Sequence, residues 1–319
     1  MIIKIKECDL QYHIASFTKN EDILKEMLDK NYTVAYLKDN NLTLYPMNKE
    51  IILTNEEKEQ LSKVADYSIF EMTPGNVYIY YDAASLDNAL FITNRCNSNC
   101  IMCPVSSIVR KNDPIENIST LLKISSQIPS DSAHITITGG EPFLLRKDIF
   151  TLFQFLKDHL NSVEYLLLTN ARALSNNEYF ELFKQTIPDN LLIGIPIHGS
   201  NEKRHDTITR AKGSFKQTML ALHHLMSTHI RVEIRIVVSQ LNIDDLQQIA
   251  QLIIRECKGV YTVKFIGLEM LGNARRNLNE VWLDYKESFS KMRSAIDLLI
   301  KNEIDVGIYN YPLCLSLIH

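Results

Sequence analysis

The rhythm of apolar and polar positions changes near residue 89. Over residues 1–88, short alternating runs are broken by two helix-like stretches, one from Glu21 to Leu28 and one near Glu56 to Val64, and they end in the aromatic strand Val77-Tyr78-Ile79-Tyr80-Tyr81. That mixture predicts a small α+β accessory domain. From Ala89 onward, apolar strands alternate with amphipathic helical patterns. Candidate strands fall at 89–94, 134–138, 164–169, 190–197, 231–238 and 261–268, with helical patterns at 147–160, 214–227 and 243–256. Six successive βα units imply a parallel sheet with outer helices. The expected fold is therefore α/β: an incomplete TIM-like (β/α)6 barrel over 89–319, preceded by the α+β domain of 1–88. In such a barrel the βα loops meet at the C-terminal ends of the strands, and functional groups gather there.

Composition narrows the setting. A chain of 319 residues that is 45% hydrophobic buries a substantial core. It contains no run of about 18 apolar residues to span a bilayer, and charges interrupt Met1-Ile2-Ile3-Lys4-Ile5-Lys6-Glu7 where a signal peptide needs an apolar stretch. A cytoplasmic protein with no membrane partner is expected. The formal charge of −4 is uneven: residues 1–88 hold nine lysines, no arginine and 15 acidic residues, leaving the remainder slightly basic. Nothing in the composition suggests a nucleic-acid grip. An acidic face on the first domain could dock a basic partner or simply be solvated.

Six cysteines are too few for a disulfide framework, and three of them crowd into Cys96-Asn97-Ser98-Asn99-Cys100-Ile101-Met102-Cys103. This CxxxCxxC run follows the first barrel strand. Three thiolates on one loop hold three corners of a [4Fe–4S] cluster and leave the fourth iron open; the alternative is a zinc site completed by a remote Cys or His. Gly139-Gly140-Glu141-Pro142 follows the second strand, where two glycines permit close backbone approach to a ligand and Pro142 fixes the turn. Glu141 also fits an ordinary N-cap. Asp113 and Pro114 read as an N-cap and first-turn pair opening a helix. At the ends of later strands stand Ser200, His198, His205 and Asp206, and Glu233 and Arg235 share one face of a strand by its two-residue period. That pair would bind polar groups of a ligand or neutralise itself in a mutual salt bridge.

Taken together, CxxxCxxC, GGEP and the continuation Phe143-Leu144-Leu145-Arg146-Lys147-Asp148 resemble the radical S-adenosylmethionine (SAM) superfamily over about 89–310. The resemblance implies that Cys96, Cys100 and Cys103 ligate a [4Fe–4S] cluster whose open iron is chelated by SAM. It further implies that Gly139, Gly140, Glu141 and Pro142 receive the SAM amino group, that Met102 lies beside the adenine and that Ser200 contacts SAM; Arg235, on the barrel-facing strand, would then meet polar groups of SAM or substrate. A flavodoxin- or ferredoxin-like donor would reduce the cluster, SAM would cleave to methionine and a 5′-deoxyadenosyl radical, and that radical would take a hydrogen atom from the substrate.

A narrower resemblance rests on Ala211-Lys212-Gly213-Ser214-Phe215, Val232-Glu233-Ile234-Arg235, Gly267-Leu268-Glu269-Met270, Gly272-Asn273-Ala274-Arg275, and Ile308-Tyr309-Asn310 with Leu313-Cys314. These segments are similar to the C-type radical SAM maturase of the His-Xaa-Ser system, which implies a small peptide substrate. The chain stops at His319, soon after Cys314, where such maturases continue, so a truncated C-terminal extension and no auxiliary cluster are expected. Alternatives are a radical SAM enzyme acting on a small molecule, an activator of a glycyl-radical partner, and a non-catalytic metal-binding interaction protein.

Overall fold

The structure is a computed structural model that describes residues 2–312; Cys314 and the last leucines lie outside the described residues. The described chain forms two compact units. The first gathers Met1–Leu90, Asn117–Thr136 and Phe155–Glu164, and the second gathers Phe91–Glu116, Ile137–Gln154 and Tyr165–His319.

The first unit is built on a seven-stranded sheet of β1 (Ile2–Lys4), β2 (His13–Thr18), β3 (Val34–Lys38), β4 (Asn41–Tyr45), β5 (Lys49–Ile52), β6 (Ile69–Thr73) and β7 (Asn76–Tyr81), in the order β1-β7-β6-β2-β3-β4-β5. All its pairs are antiparallel except β2 with β3. A short polar tie explains why the unit reaches beyond residue 90: the Gln127 side chain accepts from both the backbone N–H and the hydroxyl of Ser16, all buried. The helix Asn55–Ser62 starts on a capping box, with Thr54 accepting from Glu57 N–H and Glu57 from Thr54 N–H. Its core centres on Phe17 and Phe70, stacked with centroids 4.7 Å apart and buried among Ala15, Leu42, Leu44 and Val77.

The second sheet consists of β8 (Asn88–Phe91), β9 (His134–Thr138), β10 (Glu164–Leu168), β11 (Leu191–Pro196), β12 (Arg231–Val237), β13 (Thr262–Ile266) and β14 (Val306–Tyr309), ordered as in the chain. From β10 to β14 every neighbouring pair is parallel. Sequential order with helical crossovers is the topology of an open TIM-like barrel. The six strands expected from the apolar runs are present, and β14 adds a seventh. The helix Leu246–Glu256 shows the crossover logic: Leu246, Ile249, Ala250 and Ile253 fall on one buried stripe. Among the described residues no helix is long and apolar enough to cross a membrane.

One expectation is corrected. Asp113 does not open a helix; it is the C-cap of Ser107–Asn112, whose N-cap is Ser106. Its carboxylate instead accepts the Asn94 N–H at 2.6 Å, and the Pro114 carbonyl accepts from the Thr93 hydroxyl at 2.7 Å. The Asp-Pro pair ties down the strand end that leads into the cysteines. The next helix, Ile118–Ser125, is capped by Asn117.

Because Phe70 is fully buried and stacked, Phe70→Ala should destabilise the first unit by about 3–5 kcal/mol. Amide hydrogen exchange across β2 and β6 should accelerate accordingly; a loss below about 1 kcal/mol would exclude the pair from the core.

Candidate active site

The cysteine loop has little regular structure of its own, so its shape comes from partners elsewhere in the second unit. The Asn97 carbonyl accepts from Arg172 Nη1 at 2.9 Å and the Ser98 carbonyl from Arg110 Nη1 at 2.8 Å. The Cys100 carbonyl accepts from Asn273 Nδ2 at 3.1 Å, and the Ile101 carbonyl from Asn277 Nδ2 at 3.0 Å. The Cys103 carbonyl takes the backbone N–H groups of Asn273 and Ala274. The loop's own Asn99 and Ile101 N–H groups bond the carbonyls of Thr209 and Ile208. A short helix, Gly272–Arg276, is thus a clamp: Gly272, at φ +48°, runs so close to the Pro104 carbonyl that a Cβ would collide with it. Ile101 and Met102 anchor the loop from below in an apolar cluster with Ile208, Ala274 and Val281.

The GGEP turn lies against the same loop. Gly140 N–H donates to the Thr93 carbonyl at 2.6 Å and Glu141 N–H to the Arg95 carbonyl at 2.9 Å, joining the turn to the three residues before Cys96. This contact requires both glycines. A Cβ on Gly139, at φ +149°, would strike the Thr93 carbonyl oxygen, and one on Gly140 would strike the carbonyls of Arg95 and Asn94, the latter at 2.5 Å. The close approach inferred from the sequence is therefore observed, but the surface approached is the chain leading to Cys96.

Glu141 is 1% exposed and caps the 3-10 turn Pro142–Leu145. Its carboxylate accepts from Phe143 N–H, the Thr169 hydroxyl and Asn170 N–H at 3.1, 2.7 and 2.8 Å. Burial pushes its pKa up, and these three hydrogen bonds oppose the shift. Asn170 passes the connection on, since its side chain donates to Asn97 Oδ1 at 2.6 Å and stands 3.9 Å from Cys96 Sγ. Phe143 locks the turn to the core through rings of Phe150, Phe153 and Phe183 at 6.1–6.4 Å.

The remaining expected residues follow. The Ser200 N–H and hydroxyl both donate to the buried Asp245 carboxylate, at 2.7 and 2.8 Å. Arg235 pairs with the buried Glu233, so the mutual salt bridge is the arrangement present. Met102 is 4% exposed in the apolar cluster. His198 and His205 are buried with stacked rings, and the His198 backbone N–H donates to His205 Nδ1 at 3.2 Å. Asp206 accepts from Gly213 N–H, Phe215 N–H and the Ser214 hydroxyl, which closes the Ala211–Phe215 turn. Arg110, Asn170, Arg172, Asn273 and Asn277 were not singled out for this role; Asn273 and Asn277, one helical turn apart behind Gly272, were the available sign.

Burial pushes the Cys96 thiol up, with the Glu141 charge adding to the shift, and pushes Cys100 up to about 12 with help from the other two cysteines. Among the described residues no three His, Cys, Asp or Glu side chains converge to grip a single ion. The loop from Cys96 to Cys103 offers three thiols and no imidazole or carboxylate, which is the donor type an iron–sulfur cluster takes.

Residues 90–253 match the Radical SAM superfamily, and the chain belongs to it. The superfamily's cofactors are a [4Fe–4S] cluster and SAM. The sporulation killing factor maturation protein SkfB of Bacillus subtilis is 24% identical over 207 residues, covering 62% of this chain and 46% of SkfB. The Fe-coproporphyrin III synthase of Methanosarcina barkeri is 25% identical over 225 residues, 69% of this chain and 52% of that enzyme. The chain thus spans about half the length of these curated relatives. Among solved structures, Streptococcus suis SuiB bound to its precursor peptide SuiA superposes with a TM-score of 0.57 at 12% identity, over 89% of this chain and 58% of SuiB, a likeness of fold.

Gly140→Ala forces Arg95 away from the turn and moves the chain beside Cys96. It should lower iron and sulfide content after anaerobic reconstitution as well as SAM affinity; normal cluster content with weakened SAM binding would separate the two functions and contradict the contact described. The buried histidines generate a second expectation. Burial drives His198 down to about 3 and His205 to about 4, so both are neutral in the fold. Unfolded, each titrates near 6.5. Their contribution to stability is therefore complete above about pH 6.5 and is lost as pH falls from there toward the folded values, on the order of 2 kcal/mol per histidine between pH 7 and 5. Urea unfolding at the two pH values should show this loss, and His205→Gln should reduce it; an unchanged difference would exclude His205 as a source.

Proposed function

We propose that this chain is a radical SAM enzyme that modifies a peptide. Cys96, Cys100 and Cys103 bind the cluster, and the observation that carries the reading is the cysteine loop itself, with five of its carbonyl groups held from outside. When bound, the cluster and SAM supply a 5′-deoxyadenosyl radical that removes a hydrogen atom from the substrate. The protein's part is placement and exclusion of water. Gly139 to Pro142 present backbone to the methionyl end of SAM. Glu141 holds that turn to Thr169 and Asn170 and acts as a positioning residue. The Ser200 hydroxyl donates to Asp245 and keeps acceptor capacity for SAM, Arg235 is oriented by Glu233, and Met102 contributes to the apolar floor near the adenine. A flavodoxin- or ferredoxin-like protein is the electron donor.

The peptide substrate draws support from SkfB, named for maturation, and from the SuiB fold with SuiA bound. Similarity to His-Xaa-Ser maturases points to a short repeat peptide. The coproporphyrin synthase, matched at comparable identity, favours a second reading in which the substrate is a small molecule.

The test has two stages. Alanine at Cys96, Cys100 or Cys103 should abolish iron–sulfur absorbance and SAM cleavage, while the same change at the buried Cys8 or Cys257 should not; a full cluster in the Cys100→Ala protein would sink the ligand assignment. With intact enzyme, a peptide bearing His-Xaa-Ser repeats should raise 5′-deoxyadenosine formation above the uncoupled background and acquire a mass change. Stoichiometric product from a metabolite, with every candidate peptide unmodified, would replace the peptide reading with the second one.

A further inference from the structure

Arg110 projects from the helix Ser107–Asn112 and is only 7% exposed. Its Nη1 donates to the Ser98 carbonyl at 2.8 Å and its Nη2 to Asn99 Oδ1 at 2.5 Å, while Nε has no partner. Among the described residues no carboxylate pairs with it. That sets it apart from Arg204, Arg235 and Arg255, which stand against Asp245, Glu233 and Glu256. Among the described residues Arg172 also forms no ion pair, but it is less buried, its charge acts on Glu141 and its Nε reaches Gln217 in an exposed bond. A guanidinium does not shed its proton, so a buried one needs an opposing charge.

The two acceptors that Arg110 grips lie between Cys96 and Cys100 in the sequence. Ser98 N–H in turn donates to Cys96 Sγ at 3.4 Å, so the residue whose carbonyl Arg110 holds also touches the first thiol. We infer that Arg110 is the built-in counter-charge of the iron–sulfur centre, a positioning residue whose buried cation offsets the negative charge of the three thiolates and their cluster and so holds the cluster's reduction potential up. Reduction adds one electron from the donor, hence one negative charge, and makes or breaks no bond. A fixed cation nearby favours the reduced form.

The test compares full-length Arg110→Gln and Arg110→Lys after anaerobic reconstitution, reading iron and sulfide per chain and the midpoint potential by an EPR-monitored redox titration without substrate. Glutamine keeps a donor for the Ser98 carbonyl but carries no charge, so the midpoint should fall. A tenfold loss of preference for the reduced cluster reads as about 59 mV for one electron. Lysine keeps the charge while losing the two-pronged grip, and should restore most of both cluster content and potential. If the glutamine protein does not load, a lysine protein that loads with a near-normal midpoint supports the charge role. A glutamine midpoint equal to that of the unaltered protein, or lysine and glutamine proteins equally impaired, would assign Arg110 to loop shape alone and overturn the inference.

Discussion

Three thiols placed on one irregular loop are a repulsive arrangement once they lose their protons, and the loop has almost no hydrogen bonds of its own to resist it. Everything else at the catalytic end follows from how that loop is held. Five of its carbonyls accept from Arg172, Arg110, Asn273, Asn277 and the start of a short helix, so the peptide planes are fixed by the fold itself. Fixing the peptide planes fixes the directions from which the cysteine side chains leave the chain. Preorganisation of this kind places the ordering cost in folding rather than in cofactor binding.

The GGEP turn extends the same principle. Its glycines are needed because Thr93, Asn94 and Arg95 lie in van der Waals contact, and its glutamate is needed because three donors, one from Phe143 and two from the end of β10, meet in a buried place. Asn170 then closes a circuit from Glu141 to Asn97 and Cys96. The part of the chain expected to receive SAM and the part expected to hold iron are therefore one mechanical piece.

Much of this was legible in the residues. Alternation of apolar strands with amphipathic helices marked β8 to β13, because each is flanked by a helix whose period differs from its own, and the cysteine spacing and GGEP located the working end. β14 was hidden: Val306-Gly307-Ile308-Tyr309 is short, carries a glycine and follows a long helix without a strong apolar run. Asp113-Pro114 misled because an Asp before a Pro looks the same whether the Asp begins one helix or ends another, and only the Asn94 N–H decides it. The histidines were hard to place for a similar reason, since the burial of His198 after its strand and of His205 in the helix Glu202–Thr209 depends on what folds over them. The loop's holders were least legible of all. Beyond the one-turn spacing of Asn273 and Asn277, hydrogen bonds across 166 to 176 residues leave no local pattern in the chain.

That separation in sequence orders the protein's biogenesis. The helix that clamps the cysteines, Gly272–Arg276, is translated 169 residues after Cys103 (272 − 103). Until then the nascent loop carries three reactive thiols without its shape, and any iron or zinc that reaches it meets a flexible chelator instead of a formed site. A fragment ending before Gly272 would retain every cysteine of the motif while lacking the helix that tells those cysteines where to stand.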